Sequence, residues 1–187
     1  MMRKKKVIFI PGAIGGKKDM ILINKMLKEY DIKYFPYDTG LKNTIEQYSE
    51  KLKEFIDELK LEKDEKISII SISAGGIIAE YYLKYLESGK VDKIVTLFTP
   101  FKGTWLPHFI YKKKKGFQEL RKNNIILEKI SNKKLIDIEE LNIWCWLDPV
   151  VPGKSGKGSN PMHVLFPIHG AIQFWPPVIV KIKKFLS

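Results

Sequence analysis

The chain has 187 residues, 44% of them hydrophobic and 29% charged, and its 33 Lys and Arg against 21 Asp and Glu leave a net charge of +12. This profile excludes a disordered chain and suffices for one sizeable core, and the single cysteine, Cys145, excludes an intrachain disulfide. The positive balance reads either as general lysine richness or as attraction to an anionic membrane surface. Nucleic acid is not expected as a partner, because neither zinc-ligand spacing nor a paired aromatic strand signature is present.

The chain begins "MMRKKKVIFIPGAIGG". Its apolar run, Val7–Ile10, is shorter than the roughly 7–15 residues of a secretory core, so it reads as a strand, Lys6–Ile10, behind a basic tail. No run reaches the ~18 apolar residues of a membrane span, and a cytoplasmic location is expected. In the loop "PGAIGG", three residues separate Gly12 from Gly16, and Lys17 is followed by Lys18. A phosphate loop requires four residues and a following Ser or Thr, so that reading fails.

A second strand is expected at Lys33–Tyr37. From Thr44 to Leu59, the residues Ile45, Tyr48, Leu52, Phe55, Ile56 and Leu59 recur on one helical face, and Thr44 with Gln47 has the capping-box pattern. The strand Ile67–Ile72 runs into Ser73, Ala74, Gly75 and Gly76. A helix apolar on most faces follows, closed by Ser88-Gly89. Another strand is expected at Lys93–Phe98. Residues 101–140 contain no clear strand; two short helices are expected there, as an insert or small lid within a single domain spanning 1–187. This segment holds the densest basic run, "YKKKKGF" (Tyr111–Phe117), read as a solvated loop or a lipid-facing one. Strands Asn142–Leu147 and His163–Ile168 and a helix Pro177–Leu186 complete the chain. Strands that are apolar throughout, alternating with helices, predict a mostly parallel six-stranded α/β sheet with helices on both faces.

In such a sheet, ligand chemistry collects at the carboxyl ends of the strands. Ser73 stands there, between a strand and a helix, with the small residues Ser71 and Gly75 two positions to either side. This is the nucleophile-elbow pattern G-x-S-x-G with serine in place of the first glycine, and it aims a helix N-terminus at the hydroxyl. The plainer reading is a helix N-cap serine. A nucleophilic serine needs a base and an orienting acid. His108 precedes the late strands, and His163 opens the last strand at the far edge. His169 follows "VLFPI" at the carboxyl edge, and Asp148 follows "NIWCWL" at that same edge. Asp137, Glu139 and Glu140 lie before the strand. Ser73, Asp148 and His169 therefore end three different predicted strands on one rim, in the order this chemistry takes in a doubly wound sheet. Read singly, the last two are a turn aspartate and a surface histidine. Oxyanion donors are expected from the backbone N–H groups of Ala74 and Ala13, with Ile14 second. No ligand spacing supports a metal site at Asp148, His163 and His169, and none is expected.

These residues carry a resemblance. "VIFIPGAIGG" resembles the oxyanion loop of α/β-hydrolase lipases, with Pro11 where many have histidine. "ISISAGGIIAEYYLKYL" is similar to their elbow and following helix. "VDKIVTLFTPFKGTWLP" resembles a lipase stretch with T-P-H-x-G-T, with Phe101 at the histidine and Phe98 where glycine is common. "LDPVVPGKSG" and "HGAIQFWPPVI" resemble the acid and histidine loops. The resemblance is to small lipases and esterases and implies a minimal α/β-hydrolase fold lacking the first two strands of larger members. It implies an acyl-ester hydrolase acting on a small-molecule or lipid ester, without metal or organic cofactor. Ser73 would be the nucleophile, His169 the base and Asp148 its orienting acid. Ile14, Phe101, Trp105 and Trp175 would contribute to substrate binding. The same residues also suit an acyltransferase or thioesterase, or an inactive scaffold serving as a binding or membrane-surface module.

Overall fold

The computed structural model describes residues 4–13, 23–25, 27–86, 89–110, 112–151, 153–165, 169 and 175–187. Six strands form one wholly parallel sheet: β1 (Lys6–Ile10), β2 (Asp31–Tyr34), β3 (Ile67–Ile72), β4 (Val91–Leu97), β5 (Glu139–Trp144) and β6 (Pro161–His163). Their spatial order is β2-β1-β3-β4-β5-β6. The helices among the described residues include α1 (Ile45–Glu58), α2 (Ala74–Tyr81, continued by a π-helical turn Tyr82–Leu86), α3 (Lys115–Gln118), α4 (Ile125–Ser131) and α5 (Pro176–Leu186). None is long and apolar enough to cross a membrane.

The central strands are buried on both faces because each face has its own helical layer. Ile8, Ile10, Ile67, Ile69 and Ile94 pack beneath α1, α2 and α4. Val7, Phe9, Ile70, Ile72, Val95, Leu97 and Ile143 pack beneath α5, which contributes Val178, Ile179, Ile182 and Leu186. Alternate residues of one strand thus serve opposite cores, the physical basis of the near-continuous apolar runs. Helix α1 starts at the capping box: Gln47 N–H donates to Thr44 Oγ1 (3.2 Å) and Thr44 N–H to Gln47 Oε1 (3.1 Å). Its buried stripe of Ile45, Tyr48, Leu52 and Ile56 contributes about 1.5–3 kcal/mol per side chain.

The strands shift from their expected spans where pairing overrides composition. β2 begins at Asp31 and ends at Tyr34 because it pairs with the five-residue β1 from Lys6↔Asp31 to Phe9↔Tyr34. One further bond joins Phe35 N–H to the Phe9 carbonyl (3.0 Å), after which Pro36 has no N–H to give. β4 stops at Leu97 because Phe98 turns into the left-handed region (φ 50°). β5 starts at Glu139, in register with Lys93 of β4, and ends at Trp144, so Trp146 and Leu147 are loop residues. β6 starts at Pro161, opposite Asn142, which makes His163 its last residue and not its first. The expected strand end at 166–168 lies outside the described residues.

Candidate active site

All six strands run parallel and so deliver their carboxyl ends to one rim. At the end of β3, Ser73 takes φ 51° and ψ −122°, a conformation that L-residues avoid and that costs about 1–2 kcal/mol. The surroundings hold it there. Ser73 N–H donates to the Leu97 carbonyl (2.7 Å), and Gly76 N–H donates to the Ser73 carbonyl (3.0 Å). The small neighbours have specific steric causes. A Cβ on Gly75 would strike the Pro11 carbonyl oxygen and lie 2.8 Å from that of Ile10, and one on Gly76 would lie 2.8 Å from Thr99 Cβ. Ser73 does precede α2, but its hydroxyl makes no capping bond to the helix.

The hydroxyl meets His169 instead. Ser73 Oγ lies 3.0 Å from His169 Nε2, and His169 Nδ1 lies 2.6 Å from Asp148 Oδ2. Asp148 is buried. Its other oxygen, Oδ1, accepts the N–H groups of Val150 (2.7 Å) and Val151 (3.0 Å). One carboxylate thus closes its own loop and fixes the imidazole. On its other side the imidazole lies against Phe98, with ring centres 5.6 Å apart and planes at 24°.

The loop after β1 abuts this centre: a Cβ on Gly12 would lie 3.2 Å from that of Ser73. Its Pro11 carbonyl accepts the Tyr37 hydroxyl (2.8 Å). Burial pushes the Tyr37 phenol well above its ordinary range, so it remains a donor. Ala13 follows in this loop and packs against the core, and Ala74 opens α2 directly after Ser73. Ile14 lies outside the described residues.

The other candidates lie apart from these contacts. Phe101 packs against Gly158 and opens onto a cleft of about 370 Å³ beside α4, shared with Lys102, Asn123 and Leu127. Trp105 is exposed, edge-on to Phe109. Trp175 sits at the start of α5 against the second core. His163, placed by sequence at the far edge, is at the carboxyl edge, where it accepts Trp146 N–H (3.3 Å) and packs on Trp144. No group of three His, Cys, Asp or Glu suited to a metal occurs among the described residues. Sequence reasoning passed over Tyr37, which has no local signature. It met Phe98 only as a departure from glycine, and that departure was the available signal.

The sequence matches the lecithin:cholesterol acyltransferase family over residues 26–152, more than half of the chain. The chain belongs to this family. No curated protein sequence matches it. Among solved structures, this family member is similar to the mature lipase BlEst2 of Bacillus licheniformis (TM-score 0.75, 14% identity, 96% of this chain and 91% of that one). It is also similar to the lin2722 gene product of Listeria innocua (0.72, 15%, 99% and 94%). The ydeN gene product of B. subtilis is a third (0.66, 13%, 98% and 100%). At these identities the likeness establishes the α/β-hydrolase fold, with which the parallel six-stranded sheet agrees.

Proposed function

We propose that the chain is a serine hydrolase that cleaves carboxylic acyl esters through an acyl-enzyme, with Ser73, His169 and Asp148 as its triad. The observation that carries this reading is the continuous chain Ser73 Oγ–His169 Nε2–Nδ1–Asp148 Oδ2 at 3.0 and 2.6 Å. His169 Nε2 takes the hydroxyl proton as Ser73 Oγ attacks the ester carbonyl carbon. The same nitrogen then gives that proton to the departing alcohol oxygen. Asp148 holds the proton on Nδ1, leaving Nε2 as the base, and stabilises the imidazolium. The N–H groups of Ala74 and Ala13 receive the developing oxyanion, with the N-terminus of α2 adding its positive end. Water, deprotonated by His169, releases the acid. Family membership and the fold support ester hydrolysis, and the likeness to the lipase BlEst2 favours a lipid ester as the substrate class.

The family's name favours one second reading, in which an alcohol and not water discharges the acyl-enzyme. Fluorophosphonate labelling of wild type, Ser73→Ala and His169→Ala tests the common step. Labelling of wild type alone is the expected result, and an unlabelled, folded wild type would remove the proposal. Adding a primary alcohol to a p-nitrophenyl ester assay separates the two readings: new ester at the expense of free acid marks transfer.

A further inference from the structure

Nine large apolar side chains are exposed among the described residues. Six of them stand on the loops that leave the carboxyl edge of the sheet: Trp105, Phe109 and Ile110 after β4, Trp146 and Leu147 after β5, and Leu165 after β6. Trp146 and Leu147 are each 63% exposed and Leu165 76%. These loops are sewn together. Thr104 Oγ1 donates to the Val150 carbonyl, Ser155 Oγ donates to the Gly103 carbonyl, and Lys102 N–H donates to the Ser155 carbonyl (3.1 Å). Gly153 N–H bonds to the Trp146 carbonyl (3.2 Å), and Trp146 N–H to His163 at the end of β6. The six side chains therefore belong to one supported rim, on the edge that carries Ser73, His169 and Asp148.

Such a rim in water needs a reason. Its chemistry is that of a membrane interface: two indoles, which favour the headgroup level, and aliphatic side chains beside them. Exposed Lys112, Lys113 and Lys115 lie just beyond Ile110 in the chain, and exposed Lys157 follows the Asp148 loop. Apolar residues set among lysines match a surface that is greasy within and negative above. We propose that this rim is a docking face for a bilayer containing anionic lipid, with the Trp146–Leu147 turn as its apolar wedge and the Lys112–Lys115 run as its electrostatic contact. Docking would place the loop that holds Asp148 against the lipid, so a lipid ester would reach Ser73 from the bilayer. This use of the face rests on the proposed hydrolase reading; the binding itself does not.

The test is flotation of the full chain with vesicles of phosphatidylcholine alone or with phosphatidylglycerol added. Wild type and Ser73→Ala are expected to float equally with the anionic vesicles and at least tenfold less with the neutral ones. Lys112→Gln/Lys113→Gln/Lys115→Gln should lose about tenfold in affinity, and 0.5 M salt should do the same to wild type. Leu147→Ser/Leu165→Ser should also lose affinity for vesicles while keeping wild-type hydrolysis of a water-soluble short-chain ester. No flotation, or equal flotation with neutral vesicles unaffected by the lysine changes, would overturn the proposal. So would concentration-dependent dimers that Leu147→Ser/Leu165→Ser abolishes, which would make the rim a contact between copies. A catalytically dead wild type that still floats would overturn the hydrolase reading and leave the docking face intact.

Discussion

The Phe98 ring lies nearly parallel over the His169 imidazole, on a backbone with φ 50°. A bulky residue in the left-handed region is strained, and glycine would relieve about 1–2 kcal/mol of it. The ring is also 99% buried from solvent, its exposure being 1%. Removing a buried phenylalanine costs about 3–5 kcal/mol, so the packing loss exceeds the relief. Phe98→Gly is expected to lower stability by about 1–4 kcal/mol. Phe98→Leu keeps most of the volume and should lose much less stability, yet still lower kcat because the imidazole has no flat surface to lie on. Urea unfolding and steady-state kinetics on the same variants check both; Phe98→Leu with unchanged kcat would remove the positioning role.

Asp148 serves two masters within one carboxylate. Asp148→Asn can keep accepting the Val150 and Val151 N–H groups through its amide oxygen, but its NH₂ then faces His169 Nδ1 and favours the wrong tautomer. The fold should persist while kcat drops by about 10³–10⁴. Asp148→Ala also leaves two loop N–H groups unmade, worth about 1–3 kcal/mol each where buried, and should be visibly less stable than the Asn variant. Thermal melts of the pair distinguish a catalytic loss from a structural one.

Gly75 is where the end of β1 crosses the elbow. In Gly75→Ala the new methyl group meets two backbone carbonyl oxygens, Pro11 and Ile10, that cannot swing away as a side chain would. The expected outcome is loss of fluorophosphonate labelling together with a lowered melting temperature. A stable, fully labelled Gly75→Ala protein would show that the elbow is not clamped at that point.

Tyr37 donates its hydroxyl to the same Pro11 carbonyl (2.8 Å). Tyr37→Phe removes one hydrogen bond and should cost about 1 kcal/mol of stability. Because Pro11 leads into Gly12 and Ala13, the larger effect is expected on kcat, with KM little changed, as for an interaction felt in the transition state. A rise in KM at constant kcat would instead assign Tyr37 to substrate binding.

Glu119 reaches from the segment between β4 and β5 to accept the Ile45 N–H at the start of α1 (2.6 Å). Burial raises its carboxyl above the ordinary 4.5, outweighing that hydrogen bond, which lowers it. The folded state therefore binds the proton more tightly than the unfolded state, and this group's contribution to stability falls as pH rises through the interval above 4.5. Glu119→Gln keeps the acceptor and removes the charge. Its melting temperature should match wild type below pH 4.5 and exceed it increasingly towards neutrality.

What the chain showed on its own was local or periodic. The capping box of Thr44 and Gln47 closes within one turn, so four residues specify it. The strand Ile67–Ile72 was legible because burial on both faces favours a mainly apolar run, and the glycines after Ser73 because the β1 backbone leaves no room for a side chain at Gly75 and Thr99 leaves none at Gly76. Chain order on a parallel sheet was enough to nominate Ser73, Asp148 and His169, since each successive strand returns its end to the same rim. Distances within that rim were not legible. Only the folded chain decides that His169 spans Ser73 and Asp148, that Phe98 backs it, and that Tyr37 grips the loop beside it. Those contacts join residues up to 96 positions apart, and no local pattern encodes such a meeting. The limits of β5 were misjudged for the same reason. Composition makes "NIWCWL" a strand throughout, but pairing with β4 starts it earlier and ends it at Trp144. Two large apolar residues thereby pass from an expected core to the exposed rim, because the neighbouring strand decides where a strand stops.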